Sequence, residues 1–136
     1  MKEKLLNVGD SGTFSKTITE YDIYSFAGIT GDFNPIHVDE EAAGKSVFQH
    51  RIAHGMLTGS LISTVIGNRM PGPGTVYLEQ NLKFKAPVFI GDTCTARVTV
   101  AEVINAEKGI YRLDTQVSNQ SGIIVSTGYA VVKHQA

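Results

Sequence analysis

The sequence has little of several features that point to particular classes of protein. Its 136 residues include a single cysteine, Cys94, and no tryptophan. One cysteine cannot form a disulfide within the chain or complete a structural zinc site, so nothing indicates an oxidising compartment. The 12 basic and 13 acidic residues give a net charge of -1, with no cluster of lysine and arginine. A nucleic acid or an anionic membrane would need such a cluster, so neither partner is expected.

Long apolar segments are also missing. Only Leu5 and Leu6 stand between residues 1–4 and Asn7, far too few for the core of a signal peptide. The most apolar run, residues 55–66, is too short to cross a bilayer. We therefore expect a cytoplasmic protein with one domain over residues 1–136, because this length supports one hydrophobic core.

The first third of the chain reads as a strand followed by helices and turns. A short strand is predicted over residues 13–18. Thr19 and Asp22, three residues apart, resemble a capping box and predict a helix that ends near the glycines Gly28 and Gly31. Residues 32–39 contain a proline and several turn formers, so this segment is predicted to be irregular.

Residues 55–66 contain no charged residue and predict a buried helix. Gly55, Gly59 and Ser63 recur every four residues, so this helix has one face of small side chains. Another backbone or a ligand can approach such a face closely.

The hydrophobic period changes to two after the loop at residues 71–74. Alternation predicts a strand over residues 76–85, and further strands are predicted over residues 93–103, 110–118 and 123–133. The expected fold is α+β: a strand and helices, followed by an antiparallel meander wrapped around the buried helix.

The densest group of functional side chains is Asp32, Asn34, His37 and Asp39. A carboxylate and an imidazole five residues apart in a loop can face one cavity and hold a water molecule between them. Such a pair can take a proton from water and return one to carbon. In the alternative, Asp32 caps a turn, Asp39 caps the following helix, and His37 is a half-buried histidine with its hydrogen bonds satisfied. The residues alone leave both interpretations open.

His54 and Gly55 stand at the predicted start of the buried helix. Unpaired N–H groups at a helix N-terminus bind negative charge, and glycine lets a substrate oxygen come close to its amide. This arrangement would stabilise an oxyanion. Equally, Gly55 can be required only for tight packing.

Other kinds of site have little support. His50 and His54 are four residues apart, but no third ligand with suitable spacing follows, so no metal site is expected. The glycine-rich phosphate loops and the G-x-S-x-G motif are absent. Cys94 lies within a strand pattern away from the histidines, which leaves no obvious nucleophile for hydrolysis.

Three ordered segments, residues 24–39, 52–57 and 84–93, resemble the motifs of one known family. Residues 24–39, YSFAGITGDFNPIHVD, look like the hydratase motif of the MaoC-like family of (R)-specific enoyl-CoA hydratases. Residues 52–57, IAHGML, are similar to its second signature, and residues 84–93, with FKAPV and then GDT, to its third. The resemblance runs from about residue 8 to about residue 133. It implies a hot-dog fold, in which an antiparallel sheet wraps a central helix.

The resemblance implies reversible hydration of a trans-2-enoyl-CoA to the (R)-3-hydroxyacyl-CoA. Asp32 and His37 would be the catalytic pair that activates water, Asn34 would help to orient them, and the Gly55 amide would hold the thioester oxygen. Ser63 matches a position that supports the catalytic pocket, and two positions match the far wall of the acyl site: Ile66 and Val131. The resemblance implies no metal or redox cofactor, since the coenzyme A thioester is the substrate. It also implies a homodimer with two sheets joined side by side.

Three other functions are compatible with this fold. A dehydratase acting on carrier-protein thioesters would use the same motif, because coenzyme A and the carrier protein present the same phosphopantetheine arm. An acyl-CoA thioesterase would direct water at the carbonyl and usually lacks the D-x-N-P-x-H arrangement. A non-catalytic acyl-CoA-binding module would not need both Asp32 and His37.

Overall fold

The computed structural model describes residues 5–135, which form four helices and one five-stranded sheet. The helices are α1 (Glu20–Thr30), α2 (Pro35–Val38), α3 (Glu40–Gly44) and α4 (Gly55–Asn68). The strands are β1 (Ser11–Thr17), β2 (Val76–Phe84), β3 (Thr93–Asn105), β4 (Ile110–Ser118) and β5 (Ile124–Lys133).

Helix α1 begins with the predicted capping box. The Thr19 hydroxyl accepts a hydrogen bond from the Asp22 N–H, and the Asp22 carboxylate accepts one from the Thr19 N–H. Burial by itself would raise the pKa of Asp22, but hydrogen bonds from Thr19 and Lys16 outweigh it and lower this pKa. The helix ends at Gly31, which has a φ of 83° and donates its N–H to the Ala27 carbonyl. Glycine adopts this left-handed conformation without steric cost.

The segment 32–39 is more regular than predicted. Pro35 begins the single helical turn α2, where the N–H that proline lacks would have had no partner in any case. The Asn34 side chain caps this turn by accepting a hydrogen bond from the Ile36 N–H. The prediction of irregular structure was therefore wrong at α2. The prediction that Asp39 caps the next helix is confirmed, because its carboxylate accepts two N–H groups of α3.

The sheet is antiparallel with strand order β1-β3-β4-β5-β2. Strands β3, β4 and β5 form a meander, whereas β2 pairs with β5 at the far edge of the sheet. The predicted meander is therefore wrong for β2. Alternation along one strand shows which side chains share a face, but it does not specify the neighbouring strand.

Helix α4 packs against all five strands and supplies much of the hydrophobic core. Its buried apolar residues are Leu61, Ile62, Val65 and Ile66. The strands contribute alternate residues, among them Leu113, Val117 and Ala130, each with 0% exposure. The structure thus has the predicted α+β arrangement, with a sheet wrapped around one buried helix.

Strand β2 occupies the face of small residues on α4. A Cβ added to Gly59 would lie 2.8 Å from Leu82 Cδ1, and one added to Gly55 would lie 2.8 Å from the Phe84 ring. Real Cβ atoms do not approach other atoms so closely, so both glycines are needed for this packing. As a result, the end of β2 lies directly over the start of α4.

Strand β2 is also an edge strand with exposed apolar side chains. Val76, Leu78 and Phe84 are 55%, 52% and 53% exposed. Within residues 5–135, no helix has the combined length and apolarity of a membrane span. The cytoplasmic location stays a prediction.

Candidate active site

A cavity of about 460 Å³ lies beside the N-terminus of α4. It is bounded by the helix start, the segment before the helix, and the end of β2 with the residues that follow it. Three of the residues predicted from the sequence line it: Asp32, His37 and Gly55. Most of the remaining wall is apolar, with Phe48, Ile52, Ala53, Met56, Phe84, Ala86, Pro87 and Val88.

The His37 imidazole is held in one orientation by a backbone carbonyl. Its Nδ1 lies 2.7 Å from the Ile52 carbonyl oxygen, and the side chain is buried on α2. A carbonyl only accepts hydrogen bonds, so Nδ1 carries the proton and Nε2 is the free acceptor of the neutral ring. The Ile52 N–H donates to the Ile36 carbonyl at 3.2 Å, which fixes the segment that carries this acceptor.

The Asp32 carboxylate lies close to His37 on the cavity wall. One of its oxygens and a ring nitrogen of His37 are within 4.8 Å, and no direct hydrogen bond joins these two side chains among the described residues. One water molecule can bridge such a gap, since each of its hydrogen bonds spans about 2.8 Å. Asp32 also accepts the Asn34 N–H at 3.2 Å, so it forms the turn of the alternative interpretation while its side chain borders the cavity.

Asn34 lies outside the cavity lining but connects the two groups. Its N–H donates to Asp32 Oδ1, and its carbonyl accepts the His37 N–H at 2.9 Å. Its side chain caps α2 through the Ile36 N–H. These bonds link the backbone positions of Asp32 and His37, and the orienting role that the family resemblance implies for Asn34 stays a prediction.

Gly55 is the first residue of α4 and borders the cavity. The N–H groups of Leu57 and Thr58 both donate to the His54 carbonyl. The N–H groups that precede them in the helix have no acceptor within it, as at any helix N-terminus. The Phe84 ring fills the place of a Cβ on Gly55, which supplies the packing reason for glycine. Gly55 therefore has a packing reason to be glycine and also borders the cavity, and the oxyanion role of its amide stays a prediction.

Besides Asn34, three predicted site residues lie outside the cavity lining. Ser63 is exposed and stands eight residues after Gly55, about 12 Å along the helix at 1.5 Å per residue. Ile66 is 2% exposed within the hydrophobic core. Val131 lies between Ala130 and Val132 on β5 and, by the alternation of the strand, faces away from the core that these two residues enter. The roles implied for Ser63, Ile66 and Val131 stay predictions.

The cavity also contains residues that the sequence analysis did not single out. Phe84 and Lys85 belong to the FKAPV segment. The resemblance of this segment to the family was the one indication in the sequence that it could border the site. Thr58 and Ser126 are 2% and 1% exposed and add two hydroxyl-bearing residues to the wall. Ser126 comes from β5, where an alternating pattern gives no indication of a cavity.

Three cavity residues carry the ligand types of a metal site. Ligand atoms of Asp32, His37 and His54 lie within 4.8 Å of one another, and the two rings are stacked at 3.9 Å with a 28° angle between their planes. The Asp32 carboxylate and one nitrogen of each ring already bond to backbone groups, and the absence of a metal site stays a prediction. His50 contacts Glu40 instead, with its Nδ1 3.2 Å from a carboxylate oxygen.

Cys94 does not have the properties of a nucleophile. It is 0% exposed within the core. Burial, with a smaller contribution from Asp92, raises the pKa of its thiol to about 11. The neutral thiol is a weak nucleophile, so this cysteine packs as a small apolar residue.

Residues 8–121 match the family model described as the MaoC like domain. The chain belongs to this family. Within it, the chain is 50% identical over 125 residues to the (R)-specific enoyl-CoA hydratase of Rhodospirillum rubrum, covering 91% of this chain and 85% of that one. It is 35% identical to a mitochondrial 3-hydroxyacyl-[acyl-carrier-protein] dehydratase of Arabidopsis thaliana, covering 93% and 76%.

The MaoC-like fold assignment also rests on a solved structure. The (R)-hydratase from A. caviae involved in PHA biosynthesis superposes with a TM-score of 0.90 at 42% identity, covering 94% of this chain and 96% of that one. The predicted hot-dog fold is therefore confirmed. The reaction class shared by these relatives makes this MaoC-like chain a hydro-lyase.

Proposed function

We propose that the protein is an (R)-specific enoyl-CoA hydratase, which adds water reversibly to a trans-2-enoyl-CoA to give the (R)-3-hydroxyacyl-CoA. The observation that carries this proposal is the Asp32 and His37 pair, within 4.8 Å of one another on the wall of a largely apolar cavity. The substrate in the name of the Rhodospirillum rubrum relative supports the same choice.

The proposed reaction begins with a water molecule held between the two side chains. His37 Nε2 and the Asp32 carboxylate each accept a hydrogen bond from one O–H of this water, and one of the pair takes a single proton as the oxygen attacks, while the other proton stays on the oxygen as the new hydroxyl. The oxygen bonds to C3 of the enoyl group while the C2–C3 π electrons move into the thioester as an enolate. A proton removed from the water is then delivered to C2, so all the atoms of one water molecule end on the product. These steps require no metal or redox cofactor.

The negative charge of the enolate develops on the thioester oxygen. We propose that this oxygen lies near the Gly55 N–H, where the positive end of α4 stabilises it. Asn34 holds the turn between the two catalytic groups through its bonds to both of them. Most of the cavity wall is apolar, and a bound acyl chain would displace water from it and strengthen these electrostatic interactions.

The deciding assay is loss of absorbance at the enoyl thioester band, coupled to an (R)-specific hydroxyacyl-CoA dehydrogenase. Enoyl-CoA substrates with C4, C6, C8 and C12 chains are compared, with Asp32→Asn as the negative control. We expect consumption of at least one chain length and a signal from the coupled enzyme. If no chain is consumed, or if the product is inert to the (R)-specific dehydrogenase, the proposed function is wrong.

A second candidate is a dehydratase that acts on 3-hydroxyacyl-carrier-protein thioesters. The 35% identity to the Arabidopsis thaliana enzyme favours it. Both substrates present the same phosphopantetheine arm to the cavity, so the difference lies at the protein surface. Turnover of crotonyl-CoA and of a crotonyl-carrier protein, measured at equal concentrations, separates them: a much higher kcat/KM on the carrier-linked substrate would favour the second candidate.

We also propose that the protein is a homodimer joined through β2. This strand pairs on one side with β5 and lies at the edge of the sheet. Its free backbone groups can pair with the same strand of a second copy across a two-fold axis, which removes the exposed edge. The exposed apolar side chains of Val76 and Leu78 supply surface for such a contact.

A further inference from the structure

His54 contacts both members of the proposed catalytic pair. Its Nε2 lies 3.0 Å from the backbone carbonyl oxygen of Asp32, and its ring stacks on the His37 ring with centroids 3.9 Å apart. It is 2% exposed, and Phe26 covers another side at 4.8 Å between ring centroids. In the proposed reaction this imidazole has no direct part.

The hydrogen bonds define where each ring carries its proton. The Asp32 carbonyl only accepts, so His54 donates from Nε2 and leaves Nδ1 unprotonated. By the same reasoning His37 donates from Nδ1 to Ile52. The two stacked rings therefore hold their protons on opposite nitrogens, which leaves the His37 Nε2 free to act on a substrate.

The second ring nitrogen of His54 has an unusual environment. Among the described residues, its Nδ1 is the buried side-chain polar atom that has no hydrogen-bond partner. An unpaired buried acceptor is unfavourable, and in native structures such exceptions tend to have a functional reason. A purely structural role would be met by an apolar ring, which stacks equally well and leaves no unpaired acceptor. The feature that histidine adds to such a ring is its Nε2–H donor.

We propose that His54 is a positioning residue for the reaction, an inference that rests on the proposed function. Its Nε2–H fixes the backbone of Asp32, and its ring holds the His37 imidazole against rotation. It also precedes Gly55, and its carbonyl accepts the first hydrogen bonds of α4. The His54 side chain thus contacts the Asp32 backbone and the His37 imidazole, while its backbone carbonyl accepts hydrogen bonds at the start of α4.

The test uses two variants that separate the functions of the ring. His54→Phe keeps an aromatic ring for stacking but lacks the Nε2–H donor. His54→Gln lacks the ring but has an amide N–H that can reach the Asp32 carbonyl. The matched control is His50→Gln, since His50 lies four residues earlier with a side chain that is 72% exposed and contacts Glu40.

We expect His54→Phe to lower kcat roughly 10²-fold with KM changed less than about threefold, because a displaced catalytic group affects the chemical step more than binding. His54→Gln should recover part of this loss, and the control should match the parent protein. If both His54 variants are folded and retain kcat within twofold, the positioning role is refuted. The positioning role is also refuted if His54→Phe is at least as active as His54→Gln, because the Nε2–H donor would then not be needed.

A second measurement does not depend on activity or on the variants folding. Long-range ¹H–¹⁵N correlation spectra of the native protein report which nitrogen of each histidine carries the proton. We expect an Nε2–H tautomer for His54 and an Nδ1–H tautomer for His37. Any other tautomer of His54 overturns this inference. These tautomers in a protein that consumes no enoyl thioester would instead refute the proposed function and leave the hydrogen bond of His54 established.

Discussion

Asp32 and Asp39 are carboxylates on either side of His37, and both accept backbone N–H groups. Their side chains nevertheless have different surroundings. Asp32 borders the cavity and lies within reach of the His37 ring, whereas Asp39 accepts two N–H groups at the start of α3. The same Asp→Asn substitution, made at each position in turn, therefore distinguishes a loss of catalysis at Asp32 from a loss of helix capping at Asp39.

We expect Asp32→Asn to lower kcat by roughly 10²-fold to 10⁴-fold while the fold is retained, because the amide cannot accept a proton. His37→Ala should have a similar effect. If the two groups act on one water molecule, the double variant will be impaired much less than the product of the single effects predicts. Steady-state kinetics on one enoyl-CoA substrate, with circular dichroism for folding, measure all of these effects.

The control for this series is Asp39→Asn. It should cost up to about 1 kcal/mol of stability through a weaker cap, with little change in kcat. If Asp39→Asn abolishes turnover and Asp32→Asn does not, the base has been assigned to the wrong carboxylate.

At the scale of elements, the contact between α4 and β2 forms part of the cavity. Gly55 and Gly59 meet Phe84 and Leu82 in the same way, since each added Cβ would lie 2.8 Å from a β2 side chain. They differ in position, because Gly55 borders the cavity and Gly59 does not. The two glycines thus form a matched pair for separating packing from chemistry.

We expect Gly55→Ala and Gly59→Ala each to lower the free energy of unfolding by about 1–3 kcal/mol, because a methyl group must displace a packed side chain. Gly55→Ala should also lower kcat roughly 10-fold to 10²-fold, since the Phe84 ring and the first turn of α4 must shift. Urea denaturation and steady-state kinetics on both variants decide the matter. Equal kcat values for the two variants would mean that Gly55 serves packing only.

Arg51 joins helices α1 and α3 on the other side of the site. Its guanidinium bonds to Glu20 at 2.9 Å and to Glu40 at 2.7 Å, and it also bonds to the Tyr24 hydroxyl. The hydrogen bonds from Arg51 hold the pKa values of both glutamates below the usual 4.5. Arg51 is followed directly by Ile52, whose carbonyl orients His37.

The lowered pKa values predict how stability depends on pH. A carboxyl group with a lowered folded pKa adds stability above its unfolded pKa, and this contribution disappears as pH falls through the folded value. Arg51→Gln should therefore reduce stability at pH 7 and lessen its decline below about pH 4.5. The control is Lys45→Gln, because the Lys45–Glu41 pair is 3.9 Å long and highly exposed. Urea denaturation between pH 3 and 7 checks this, and identical profiles for Arg51→Gln and the parent would contradict it.

For the whole molecule, the proposed β2 contact predicts a particle of twice the 14.7 kDa chain mass. Light scattering at micromolar concentration measures this directly. The double variant Val76→Lys with Leu78→Lys should shift the measured mass toward that of one chain, because like charges would face each other across the two-fold axis. Val47→Lys is the control, since Val47 is 89% exposed and lies outside β2. A monomer mass for the unaltered protein would refute the dimer.

The sequence by itself determined the features that depend on neighbours a few residues away. The cap of α1 needs Thr19 and Asp22, three residues apart, and the cap of α3 needs Asp39 and the next two or three N–H groups. Alternation located the later strands to within one or two residues of their ends. Asp32 and His37 could be chosen together because one short turn, tied by Asn34, carries both.

The tertiary structure alone decided which distant segments meet. No local pattern indicates that β2 pairs with β5 at the far edge of the sheet, or that the Phe84 ring covers Gly55. The sequence also could not reveal that His37 bonds to Ile52, 15 residues away, or that His54 bonds to Asp32, 22 residues away. These contacts form between segments far apart in the sequence, and they depend on how the sheet packs against α4. Local sequence patterns do not contain that information.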